Sequence, residues 1–134
     1  MKISELANAA EVNVETIRYY QRRGLIDEPP RLGNGFRRYT QTHLQTLRFV
    51  RQAQALGFNL DETRELLLLR NNGHSDASEV KSRAEKKLAE IEMKLNLLEQ
   101  IKQELHQLVE ACPGHGSLDC CPIIESLEHG GSTK

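Results

Sequence analysis

The sequence predicts a mainly α protein, with a winged helix-turn-helix at its N-terminus, a long coiled-coil helix after it and a cysteine-bearing loop near its end. Three observations carry that prediction. Apolar residues recur at helical spacing through the first half of the chain. The stretch from Ser78 to Ala111 contains neither Gly nor Pro. All three cysteines of the 134 residues, Cys112, Cys120 and Cys121, fall in "ACPGHGSLDCCPII", with His115 among them. A chain of this length can build a small domain plus an extended helix, but hardly two independent globular domains. The expected division is 1–74, the winged helix-turn-helix with its connecting helices; 75–111, the long helix; and 112–134, the loop, a short helix and a tail.

Each element has a local cause. "ISELANAAEV" places Ile3, Leu6, Ala7 and Ala10 on one face of a short amphipathic helix. In "NVETIRYYQRRGLI", Asn13 suits an N-cap, Ile17 faces the core and Gly24 stops the helix. Two short helices joined by a tight turn, the second polar and rich in Arg and Tyr, form a helix-turn-helix whose second helix would enter a major groove. "DEPPRLGNGFRRYT" has two prolines and an Asn-Gly turn between short β-prone flanks, which reads as a small hairpin, or wing, with arginines near its tip. Helical spacing resumes from Thr42 to Leu56 through Leu44, Leu47, Phe49, Val50 and Ala53, and Gly57 ends it. Asn59 or Leu60 opens a further helix carrying Leu66, Leu67 and Leu69, until "RNNGHSD" breaks the pattern.

In the long helix, Leu88, Ile91, Leu95, Leu98, Leu105 and Val109 alternate three- and four-residue steps, with Lys102 as the polar interruption. At 1.5 Å per residue, a helix over 78–111 is about 50 Å long. So small a body cannot cover that stripe, and pairing with a second copy, parallel or antiparallel, is expected. After the loop, "PIIESLE" reads as a short amphipathic helix with Pro122 at its first position, and "EHGGSTK" as a disordered tail.

Charge narrows the partner. The formal net charge of −1 hides a division: residues 1–54 carry nine Lys/Arg against five acids, a net of +4, which leaves −5 for the rest. Eight of those nine bases are arginines, whose forked guanidinium matches phosphate geometry. No run of 18 apolar residues exists, and "MKISELANAAEV" lacks the apolar core of a secretory signal, so the expectation is a cytoplasmic protein with no membrane partner. A structural disulfide is not expected in that compartment, and an odd cysteine count argues further against one. The thiols are then free to bind a soft metal or to act as a redox switch. An enzyme is not expected, because there is no glycine-rich phosphate loop, no nucleophile with a convincing base and no evident acid pair.

Together, "ISELA…VNVETIRYYQRRGLI", the wing "NGFRRYT", "LRFVRQAQALGFNLDE" and a long helix ending in a cysteine loop with "CPIIESLE" resemble the MerR family of metal-responsive transcription activators, from Lys2 to about His129. The resemblance implies a homodimer through an antiparallel coiled coil of the 78–111 helix, with a metal loop at each end. It also implies double-stranded promoter DNA as partner, with RNA polymerase on the same promoter: the dimer sits on an overlong spacer and kinks and undertwists it when metal binds, switching on metal efflux or detoxification genes. The family's recognition-helix positions match Glu15, Thr16, Arg18, Tyr19 and Tyr20. Phe36, Arg37 and Tyr39 match the aromatic-Arg-x-Tyr pattern of the wing, and Arg31 lies just before it. One of the two adjacent tyrosines is expected to pack inward with only its hydroxyl reaching DNA.

The metal loop is read from both sides. Cys112 directly follows the long helix, and the N-terminal dipole of "PIIESLE" favours thiolate at the neighbouring cysteine. Soft thiolates select Cu(I), Ag(I), Au(I), Hg(II), Zn(II) and their kin. By resemblance, divalent sensors add a cysteine at the start of the dimer helix. Ala77 stands there, with Ser75 and Ser78 close by, and monovalent sensors use only two loop cysteines. That favours Cu(I), Ag(I) or Au(I). Loop spacing speaks both ways: eight residues from Cys112 to Cys120 is the copper-type step, and nine to Cys121 the divalent one. All three thiolates could also serve Hg(II), Cd(II), Zn(II) or Pb(II), with His115 as a further candidate ligand, although His115 reads first as a surface residue, as do His74 and His129. A redox sensor built on vicinal Cys120 and Cys121, and a purely structural zinc clip, are the competing readings.

Overall fold

The computed structural model describes residues 1–130, so the tail expected over 128–134 falls, from residue 131 on, outside the described residues. The elements are α1 (Ile3–Ala10), α2 (Val14–Arg22), α3 (Gln41–Ala55), α4 (Leu60–Asn71), α5 (Ala77–Ala111), a 3-10 turn (Leu118–Cys120) and α6 (Pro122–Glu128). Among the described residues there is no strand, only an isolated antiparallel bridge between Arg31 and Arg37. The fold is thus mainly helical, as the spacing predicts. Two compact units divide it, Met1–Lys87 and the remainder from Leu88, the division falling inside α5.

In the first unit α1, α2, α3 and α4 close around Leu6, Ile17, Leu47 and Val50, with Tyr20, Leu25, Ile26, Tyr39, Leu44 and Leu67 completing the core. Each Leu or Ile so buried contributes about 1.5–3 kcal/mol. The ends of the helices are set by local hydrogen bonds. The Asn13 Oδ1 accepts the Thr16 amide at 2.8 Å and so starts α2. Gly24, at φ +77°, turns the chain out of α2 where a side chain would be strained. Asn59 and Glu62 satisfy each other's amides, both at 2.8 Å, and start α4. The turn between α1 and α2 is made by Glu11 at φ +59°, a left-handed conformation that a residue with a side chain adopts at a cost of about 1–2 kcal/mol.

The first turns of α5 belong to this unit because α4 holds them. Lys87 Nζ lies 2.9 Å from Glu62, and Arg83 pairs with Glu65. The Lys87 ammonium, and then the Asn59 amide, hold the Glu62 carboxyl below its ordinary pKa. Thr63, fully buried in α4, presents a hydroxyl with no hydrogen-bond partner among the described residues. Thr63→Val is therefore expected to stabilise the fold by about 1 kcal/mol, because an unsatisfied buried hydroxyl is exchanged for a methyl. A rise in the urea midpoint at unchanged slope is the readout, and a fall would show that the hydroxyl is bonded in solution.

In the second unit α5 has no buried residue. Its seam residues Leu88, Ile91, Leu95, Leu98, Leu105 and Val109 are 37–61% exposed, an apolar row left open among the described residues.

Candidate nucleic-acid interface and thiol site

The helix-turn-helix presents α2 outward by its own periodicity. Ile17 and Tyr20, three residues apart, face the core, so Glu15, Thr16, Arg18 and Tyr19 face away from it. Arg18 reaches Glu15 at 3.5 Å, and both side chains are more than half exposed, so this pair holds Arg18 weakly and leaves it available. Tyr19 is 40% exposed and lies near the guanidinium groups of Arg22 and Arg23, 5.8 and 5.9 Å from its ring centre. Tyr20 is the tyrosine that packs inward, and its hydroxyl donates to Gln54 at 2.6 Å, a protein partner rather than a free tip.

The wing turns at Asn34 and Gly35, where the sequence places its turn. Gly35 donates to the Leu32 carbonyl at 2.9 Å and itself takes φ +86°, while Leu32 donates to the Phe36 carbonyl at 2.7 Å. The result is a three-residue loop, Gly33 to Gly35, closed by a left-handed glycine. Pro29 and Pro30 precede it without an amide hydrogen to give, so the ladder stops at one bridge. The arginines do the bracing instead. Arg31 donates to the Gly35 carbonyl at 3.0 Å, and Arg37 donates to the Pro29 carbonyl at 2.6 Å and pairs with Glu28 at 3.2 Å. Phe36 is half exposed, with Lys2 Nζ 4.5 Å from its ring centre. Tyr39, by contrast, is core, its hydroxyl accepting from Gln21 at 2.8 Å.

Between α2 and the wing lies a groove of about 310 Å³ lined by Lys2, Arg18, Gln21, Arg31, Phe36 and Arg37. Four cations against one carboxylate, Glu28, leave this concavity net positive, a surface that attracts a polyanion. Lys2 and Gln21 are members that spacing alone does not reveal. Gln21 ties the recognition helix to the root of the wing, and Lys2 arrives there because Met1 and Tyr39 exchange both backbone hydrogen bonds at 2.7 Å. Arg64 of α4 likewise goes unseen in the sequence, yet it donates to the Arg23 carbonyl and so braces the end of α2.

The cysteine loop is built from the end of α5 and the start of α6. The sulfurs of Cys112 and Cys121 stand 3.7 Å apart, both half-buried and unbonded, too far for a disulfide and close enough for one soft cation to touch both. Cys121 caps α6, and the Ile124 amide above all, with the Cys112 thiol and the Ile123 amide, lowers its pKa. The donor set therefore suits a thiophilic ion. Cys120, on the 3-10 turn, is exposed, and so is His115. No group of three or more His, Cys, Asp or Glu side chains placed to hold a metal occurs among the described residues.

The family comparison settles what kind of protein this is. The model of the MerR HTH family regulatory proteins matches residues 1–69, and that described as MerR, DNA binding, matches 44–108. The chain belongs to the MerR family. Among its relatives is the HTH-type transcriptional regulator CueR of Escherichia coli O6:H1, 43% identical over 95% of this chain and 93% of its own. Another is the HTH-type transcriptional regulator ZntR of Escherichia coli K12, 40% identical over 98% and 94%. Among solved structures, the transcription regulator PbrR691 of Ralstonia metallidurans CH34, in complex with lead(II), superposes with a TM-score of 0.85 at 36% identity, over 95% of this chain and 98% of that one. As a MerR protein the chain is a DNA-binding transcription regulator, a family of regulators rather than enzymes. No helix among its described residues is long and apolar enough to cross a membrane.

Proposed function

We propose that this MerR-family regulator works in the cytoplasm as a homodimer on promoter DNA, and switches on metal efflux or detoxification genes when Cu(I), Ag(I) or Au(I) enters the Cys112–Cys121 pair. The observation that carries the reading is that pair, two thiols 3.7 Å apart at the mouth of a helix, with no third donor grouped beside them among the described residues. A two-thiolate site suits a soft monovalent ion, which is content with few ligands. The similarity to CueR supports the same reading. One feature favours a divalent ion instead: the sulfurs brought together are nine residues apart, the step that resembles divalent sensors. Such an ion would need further donors, from Cys120, His115 or the second copy. Competition titrations of the reduced protein with Cu(I) and Zn(II), with and without promoter duplex, separate the two. Tight one-per-chain binding of Cu(I) that changes DNA bending supports the monovalent reading, and a DNA response to Zn(II) alone replaces it.

On DNA, Glu15, Thr16, Arg18 and Tyr19 of α2 would face the major groove, Arg31, Phe36 and Arg37 of the wing the backbone, and Tyr20 and Tyr39 would hold these elements from within. The dimer forms along the seam of α5, antiparallel, with RNA polymerase on the same promoter. Its output is the shape of the DNA. Bending a site of 20–30 base pairs costs on the order of 1–6 kcal/mol, which phosphate contacts offset. Metal then acts only through a difference in its affinity for two dimer states. Arg18, at the groove, can meet a phosphate or a base edge; if a phosphate, Arg18→Ala is expected to weaken operator binding by roughly tenfold and to reduce the dependence of log K on log salt by about 1. An unchanged salt slope removes Arg18 from the backbone contacts.

A further inference from the structure

The geometry points to a covalent modification site: we infer that Cys112 and Cys121, not the vicinal Cys120 and Cys121, are joined by peroxide into an intramolecular disulfide that closes the loop to metal. The sulfurs of the inferred pair already face each other at 3.7 Å, in a solvent-accessible loop with Gly114 and Gly116 at positive φ between them. A disulfide needs about 2.05 Å, so the closure is under 2 Å, a distance that side-chain rotation and the two glycines can absorb. The neighbouring pair is geometrically poor. Adjacent residues hold their Cα atoms about 3.8 Å apart, short of the ~4.4–6.8 Å that disulfides span.

The chemistry balances with hydrogen peroxide as the oxidant. A thiolate of the pair attacks one peroxide oxygen; the O–O bond breaks, a sulfenic acid forms and hydroxide leaves. The second thiol then attacks the sulfenic sulfur, the S–S bond forms, the S–O bond breaks and water departs. Two thiols give two electrons and two protons, and one peroxide becomes two waters. Both proposed metal donors are consumed, so oxidation silences the sensor and a dithiol reductant restores it. That last consequence rests on the proposed function, whereas the site itself does not.

The test uses the full-length, reduced, metal-free protein with one to five equivalents of hydrogen peroxide, then alkylation, cleavage before Asp119 and mass mapping. The expected result is a Cys112–Cys121 link with Cys120 alkylated, formed to the same extent in Cys120→Ser and lost in Cys112→Ser. A Cys120–Cys121 link, a link between chains, or three alkylated thiols after excess peroxide overturns the inference. Cu(I) uptake by the same samples keeps the two readings apart. Affinity falling more than about 100-fold on oxidation, and returning with reductant, supports the switch. If the reduced protein takes up no Cu(I), the metal reading fails while the link stands.

Discussion

Replacing Cys112 by serine is expected to abolish induction by metal while leaving operator binding within about twofold of the original. Serine offers a hard hydroxyl in place of a soft thiolate, and one remaining thiol at Cys121 cannot hold the ion alone. Losing an outer-shell partner of a metal ligand already costs 10–100-fold in affinity, so losing the ligand itself should cost more than about 100-fold. Operator binding should survive because the core of the first unit, which carries α2 and the wing, contains no cysteine. The matching change at exposed Cys120 should leave induction within a few-fold, since its sulfur is not part of the pair. Reporter induction against metal concentration, read beside fluorescence anisotropy on promoter duplex, checks both. Full induction by Cys112→Ser with DNA binding intact would remove the loop from sensing.

The second large effect is expected at the seam. Leu95 and Leu98 stand 59% and 61% exposed in the single chain, and burying each against a partner contributes about 1.5–3 kcal/mol, twice over in a symmetric pair. Lys at both positions removes that burial and sets like charges against each other. The double variant Leu95→Lys with Leu98→Lys should be monomeric at micromolar concentration by sedimentation. Its operator affinity should fall by about 100-fold or more, because two half-sites are no longer engaged by one molecule. A variant that sediments as a dimer would mean that α5 does not pair along this row.

Much of this architecture was legible because its causes are local. Asn13 and Asn59 cap helices where they stand, Gly24 ends one, and the six apolar residues of the long helix keep their step without reference to anything else. Even the choice between Tyr19 and Tyr20 was readable in principle, since Ile17 fixes the buried face and Tyr20 lies three residues on. What spacing could not supply are contacts across the chain. Nothing local tells Lys2 that it will meet Phe36, or Arg64 that it will hold the Arg23 carbonyl. In the wing, Asn34 and Gly35 mark the turn where it occurs, while the two prolines upstream, which cannot donate, keep the ladder to a single bridge. In the cysteine loop the residue types point to soft-ion or redox chemistry. The partner of Cys112 depended on which thiol sits at the first turn of α6, a one-residue question that loop length leaves open.

Those two prolines have a consequence for the life of the protein in a crowded cell. A hairpin with a single bridge, preceded by two residues that cannot donate, offers only a short edge on which another chain could add a strand. Exposed β-edges seed aggregates, and here Arg31 and Arg37 brace the projection from within while its ladder stays too short to serve as a template.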